Sequence, residues 1–86
     1  MAIRPYRAMK EKIGDRIRAI RKIKHLSQQQ FAFYLGVKRG YISTLEIHKN
    51  NPSEQLVLHI CRAFEIRYTW LRYGNGTMFG PIDRGA

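Results

Sequence analysis

Residues Gln28 to Ile47 read QQQFAFYLGVKRGYISTLEI. Ser27 precedes this stretch and Gln30 follows it by three, the spacing of a capping box that opens a helix. The helix predicted from there continues through Leu35. Gly36 breaks it, and a glycine at that point suits a left-handed turn. A second helix is predicted from about Lys38 to Ile47, with Ile42 and Leu45 turned inward. Ala32 stands where the two helices must approach closely, so a larger side chain would push them apart. Val37, Ile42 and Leu45 seal the second helix onto the rest.

The same periodicity continues on both sides. Ile13, Ile17 and Ile20 form the stripe of an amphipathic helix that ends near His25. Pro5 could open that helix or lie in an extended arm before it. His48-Lys49-Asn50-Asn51-Pro52 is a loop by composition. Ser53 caps a fourth helix with Leu56, Val57, Ile60 and Phe64 on its apolar face. A brief fifth helix covers roughly Tyr68 to Tyr73 and ends at Gly74. No internal repeat and no strand pattern stands out. The expected fold is all-α: five short helices in one compact domain over residues 10–74. A basic arm (1–9) precedes it and an irregular tail (75–86) follows.

The chain has 86 residues, room for one domain. Such a chain buries only about 60% of the surface its unfolded form exposes, so the core is small. Sixteen Lys and Arg face six Asp and Glu, a formal net charge of +10. Residues 1–25 hold nine of those cations (Arg4, Arg7, Lys10, Lys12, Arg16, Arg18, Arg21, Lys22, Lys24) against Glu11 and Asp15. The surface facing a polyanion is therefore expected in the first 50 residues, although a basic helix can also be merely solvated. No run approaches about 18 apolar residues, so no membrane partner is expected. The N-terminus lacks the apolar core of a signal peptide, which points to the cytoplasm. One cysteine makes no disulfide framework and no Cys-based metal site. No nucleophile–base set appears, so an enzyme is not expected, nor is a cofactor or metal.

Helix, glycine turn and helix over Gln28 to Ile47 is helix-turn-helix spacing. The runs IGDRIRAIRK, LSQQQFA, LGVKRGYIS, NPS and WLRYGNGTMF, from about Ile13 to Phe79, resemble the Cro and phage-repressor type of helix-turn-helix domain, the XRE family. The last run is similar to the segment that follows the DNA-binding domain of phage-type repressors. The chain ends soon after it, so no self-cleaving domain is expected.

The resemblance implies double-stranded DNA as partner, with the second motif helix in the major groove. Arg39, Gly40, Tyr41 and Thr44 are then the base-contact candidates. Arg39 can fork onto guanine O6 and N7. Tyr41 and Thr44 can offer hydroxyls or an apolar contact to a thymine methyl, and Gly40 lets the helix come close. Phosphate contacts are expected from Ser27, Gln28, Lys38, Ser43, Lys49, Asn50 and Asn51, which position the protein but read no sequence. In the family the residue matching Gln28 also braces the recognition helix. Arg21 and Glu46 match a partly buried pair that links the first and third helices. Each candidate has a plainer reading as a solvated or packing side chain, and it is the motif that favours DNA.

His25 and His48 stand where the family usually has glycine at a helix end, and no histidine spacing suggests a metal pair. Cys61 reads as a buried small hydrophobe and Trp70 as core closure. Lys38 and Arg67 replace the usual Ser or Thr caps of the third and fifth helices. Ile23 is expected to be exposed, as part of a partner surface. The expected activity is that of a sequence-specific regulator, a phage-type repressor binding a palindromic operator as a homodimer. Its seam is expected from Tyr68, Tyr73, Met78 and Phe79. The alternatives are an antitoxin that also binds a toxin, and a nonspecific nucleic-acid binder.

Overall fold

The computed structural model describes residues 11–80. The expected basic arm at residues 1–9 lies outside the described residues, as do Lys10 and residues 81–86. Among the described residues five α-helices follow in order: α1 (Ile13–Ile23), α2 (Gln28–Leu35), α3 (Arg39–Glu46), α4 (Glu54–Phe64) and α5 (Tyr68–Tyr73).

Local signals set the helix ends. At the start of α2 the Gln30 N–H donates to Ser27 Oγ at 3.0 Å, and the Ser27 N–H donates to Gln30 Oε1 at 2.8 Å. The capping box is thus closed in both directions. At the start of α4 the Leu56 N–H donates to Ser53 Oγ at 3.1 Å. Lys12, Lys38 and Arg67 occupy the caps of α1, α3 and α5 without a capping side-chain bond. Gly36 closes α2 at φ 72°, the left-handed conformation that costs a side-chain-bearing residue more. His25 (φ 59°) and His48 (φ 67°) adopt the same conformation, as their place at helix ends predicted. So does Glu65 after α4 (φ 56°), which nothing in its local sequence announced.

The inward faces meet in one core. Ile17 and Ile20 of α1, Phe31, Ala32 and Leu35 of α2, Ile42 and Leu45 of α3, and Leu56, Val57, Ile60 and Cys61 of α4 are all buried. Burying a large aliphatic side chain contributes about 1.5–3 kcal/mol, so this cluster is the main stabilising term. Phe31 stacks on Phe64 with ring centroids 5.3 Å apart, joining α2 to α4, and Tyr34 meets the same ring edge-on. Gly14 lets α1 lie directly on the end of α3. A Cβ there would stand well inside van der Waals contact of the Leu45 carbonyl oxygen.

Two features were not expected. Arg16, counted above among the cations facing a polyanion, is only 4% exposed. Its Nε donates to the Leu71 carbonyl at 2.8 Å and its Nη2 to the Arg72 carbonyl at 3.2 Å. It caps α5 from inside. The segment after Gly74, expected to be irregular, is tied back to the body. The Arg67 N–H donates to the Met78 carbonyl at 2.9 Å, and Ile66 and Phe79 form an isolated antiparallel bridge. The first joins a side chain to carbonyls far along the chain; the second is a backbone pairing between separate segments, which leaves no periodic trace in the chain.

Candidate nucleic-acid interface

A single carboxylate seats the second motif helix. Glu46, at the end of α3, is 8% exposed. Arg21 of α1 forks onto it, with Nε 2.7 Å from Oε2 and Nη2 2.9 Å from Oε1. The remaining Arg21 nitrogen, Nη1, donates to the Leu26 carbonyl at 3.0 Å. Hydrogen bonding to Glu46 raises the Arg21 pKa, overriding the opposing effect of burial. The pair predicted between these residues is therefore present, and it is bidentate.

The network extends to the exposed end of α3. Gln28 Nε2 donates to Glu46 Oε1 at 3.1 Å, and Arg39 Nη1 donates to Gln28 Oε1 at 3.3 Å. A continuous path thus runs from Arg21 through Glu46 and Gln28 to Arg39. The brace expected of Gln28 is seen, and its target is the Arg39 guanidinium itself. Arg39, Lys38 and Gly40 are exposed, whereas Tyr41, Ser43 and Thr44 are half-buried. Lys38 and Arg39 border a shallow groove completed by Gln29, Ala32, Phe33 and Val37.

At the other end of α3 the chain folds back on Thr44. The Thr44 hydroxyl donates to the Tyr41 carbonyl at 2.7 Å and accepts from Asn50 Nδ2 at 3.0 Å. That hydroxyl is engaged within the protein, so of the two groups expected to meet a base only the methyl is not already bonded. The Lys49 and Asn50 N–H groups both donate to the Thr44 carbonyl. Lys49, Asn50 and Asn51 are exposed, so Asn50 is positioned by the same residue that it helps to hold. Ser27 is exposed as well, with its hydroxyl used in the capping box.

His48 Nε2 lies 2.9 Å from Asp15 Oδ1, pinning this turn to α1. Burial pushes the Asp15 carboxyl up. The Lys12 N–H and His48 outweigh that and hold it below the usual range. Neither this contact nor the role of Arg16 was predicted. Arg16 could have been found: by helical angle it borders the Ile13/Ile17/Ile20 stripe, just as Arg21 does on the other side.

The cationic surface is narrower than the sequence suggested. Of the nine cations in residues 1–25, Arg16 is buried and Arg21 is committed to Glu46, leaving Lys12, Arg18, Lys22 and Lys24 exposed among the described residues. The expected seam is also corrected. Tyr68 is 9% exposed and its hydroxyl donates to Glu54 Oε2 at 2.7 Å, because its ring closes the core beneath α5. Met78 packs partly against the core. Tyr73 and Phe79 remain exposed, and so does Ile23.

A helical body with a glycine-turned helix pair, its second helix seated by a partly buried Arg–Glu fork, defines a helix-turn-helix domain of the Cro and phage-repressor type. The family's sequence pattern matches residues 17–71, and the chain belongs to the helix-turn-helix family. The chain is 31% identical over 71 residues to the antitoxin PezA of Streptococcus pneumoniae serotype 4, covering 83% of this chain and 44% of that protein. It thus spans less than half the length of that curated relative. Among solved structures it is similar to the P22 c2 repressor protein, crystallised with a synthetic operator. There the TM-score is 0.70 and the identity 27%, over 77% of this chain and all of the other.

Proposed function

We propose that this protein is a sequence-specific regulator that binds double-stranded DNA in the manner of a phage-type repressor. The observation that carries this reading is the exposed Arg39 guanidinium at the first turn of α3, braced by Gln28 and through it by Glu46. A side chain held in advance loses less freedom on binding and reads with better geometry. Arg39 forks onto guanine in the major groove. Tyr41 and the Thr44 methyl add contacts to neighbouring bases. Ser27, Gln28, Lys38, Ser43, Lys49, Asn50 and Asn51 lie along the phosphates and set the register. The similarity to the P22 c2 repressor, which was crystallised with operator DNA, supports this docking.

One recognition helix covers only a few base pairs, so the protein acts as a homodimer on half-sites about 34 Å apart. Its seam uses the exposed Tyr73 and Phe79.

The test is selection of bound duplexes from a random pool, for the wild type and for Arg39→Ala. The wild type enriches a two-fold symmetric site over unrelated duplex by about 10³-fold or more. Arg39→Ala loses preference at one base position per half-site. A pool that stays random reduces the protein to a nonspecific binder driven by its charge.

A second reading rests on the similarity to the antitoxin PezA: the same domain serves as the DNA-binding part of an antitoxin whose toxin is a protein partner. Co-purification of a stoichiometric protein with the chain from its native host would favour it.

A further inference from the structure

Gly40 is a glycine that the folded chain does not need. The other described glycines each have a reason inside the protein: either a positive φ or, at Gly14, a neighbour that a Cβ would strike. Gly40 lies within α3 with no positive φ, and a Cβ built on it meets nothing within 4 Å. Glycine in a helix is also costly, since it gives up the most backbone freedom on folding. Sterics and backbone conformation both leave room for the methyl group of alanine, and helix propensity argues for it.

The place of Gly40 on the helix gives the reason. At about 100° per residue it lies about 170° round α3 from the midline between the buried Ile42 and Leu45. It therefore marks the crest of the outward face, next to Arg39. It is exposed in the isolated domain.

We infer that Gly40 is a specificity-determining position: its missing side chain lets the α3 backbone itself lie against the base edges of the duplex, bringing Arg39 within reach of its base. This inference rests on the proposed docking of α3 in the major groove and adds to it a steric requirement at one residue. A methyl group at position 40 would stand between helix and duplex, lifting Arg39 and the Thr44 methyl from the groove floor together. The loss would then fall on specific binding more than on nonspecific binding, which depends on the phosphate contacts.

The experiment uses the full chain and the operator recovered by selection. Gly40→Ala and Gly40→Val are compared with the wild type for affinity to that operator, affinity to an unrelated duplex, and melting midpoint. The expected result is a loss of at least about tenfold in operator affinity for Gly40→Ala, or about 1.4 kcal/mol, and a larger loss for Gly40→Val. Affinity for the unrelated duplex changes by less than about twofold, and the Gly40→Ala midpoint is held or raised. Operator affinity that stays level or improves in Gly40→Ala overturns the inference. A fallen melting midpoint does so too, because the glycine would then serve the fold. Arg39→Ala, assayed in parallel, separates the two claims. If it relaxes base preference while Gly40→Ala changes nothing, the close approach alone is wrong. If neither variant alters preference, the docking of α3 fails with it.

Discussion

Gln28 Oε1 accepts a hydrogen bond from the Arg39 guanidinium at 3.3 Å, while the same amide donates to Glu46 at 3.1 Å. The first residue of α2 thus connects the buried end of α3 to its exposed beginning. Truncating Gln28 to alanine leaves Arg39 charged and present but no longer held. Under the proposed docking, Gln28→Ala is expected to lower discrimination at the base pair assigned to Arg39 by less than Arg39→Ala does, where the full contact is worth about 1–3 kcal/mol. Competition binding with single-base operator variants measures both. Equal losses in the two variants would show that Gln28 does more than brace.

Glu46→Ala removes the acceptor for both Arg21 and Gln28. Arg21 then remains as a mostly buried cation without its counter-charge, at an expected cost of about 3–5 kcal/mol. For a domain this small that is a fall of more than about 10 °C in melting midpoint. Replacing the pair together, Arg21→Met with Glu46→Leu, should recover most of the loss, because no charge is stranded. Thermal unfolding followed by circular dichroism checks both, and an unchanged midpoint in Glu46→Ala would remove the pair from the stability argument.

Gly14→Ala tests the contact between α1 and α3. Helix propensity alone favours alanine by about 1 kcal/mol. The added methyl, however, meets the Leu45 carbonyl, which is backbone and has little room to move. Overpacking of this kind costs about 1–3 kcal/mol, so steric strain outweighs propensity and the variant melts lower. The sign is opposite to that expected at Gly40, and the same melting experiment reads both.

Arg16→Met keeps an unbranched apolar stem but withdraws the donors that cap the Leu71 and Arg72 carbonyls. Buried acceptors left unsatisfied cost about 1–3 kcal/mol. Amide hydrogen exchange should speed up first in α5 and the segment after it, before the rest of the domain loosens. Uniform loss of protection would mean that α5 is not a separately anchored element.

Acid should destabilise the fold. The Tyr68 hydroxyl, with Arg72, holds the Glu54 carboxyl below its usual value, and Asp15 is held low as well. A carboxyl whose pKa is lower folded than unfolded binds protons more readily in the unfolded chain. Its stabilising effect is therefore complete above the unfolded value, about 4 for a carboxylate, and is lost as pH falls through the folded one. Tyr68→Phe should accordingly differ from wild type at neutral pH, with the gap closing below about pH 4. A gap that widens in acid would reverse the assigned direction.

The five helices, their order and most of their caps were legible because each rests on local chemistry. The Ser27–Gln30 box, the Ser53 cap, the Gly36 turn and the apolar stripes act over one or two helical turns, so a linear reading contains them. The Arg21–Glu46 pair was legible through family resemblance together with helical angle.

Tertiary structure decided which partners several other polar groups met inside the molecule. Arg16 left the cationic surface for two carbonyls 55 and 56 residues away. Tyr68 left the expected seam for Glu54, and the Thr44 hydroxyl was taken up by Tyr41 and Asn50. A cation or hydroxyl looks the same in sequence whether it faces water or a buried partner. Only the packing of distant elements sets its desolvation, and that is why composition overstated the charge available to a polyanion while periodicity read the helices correctly.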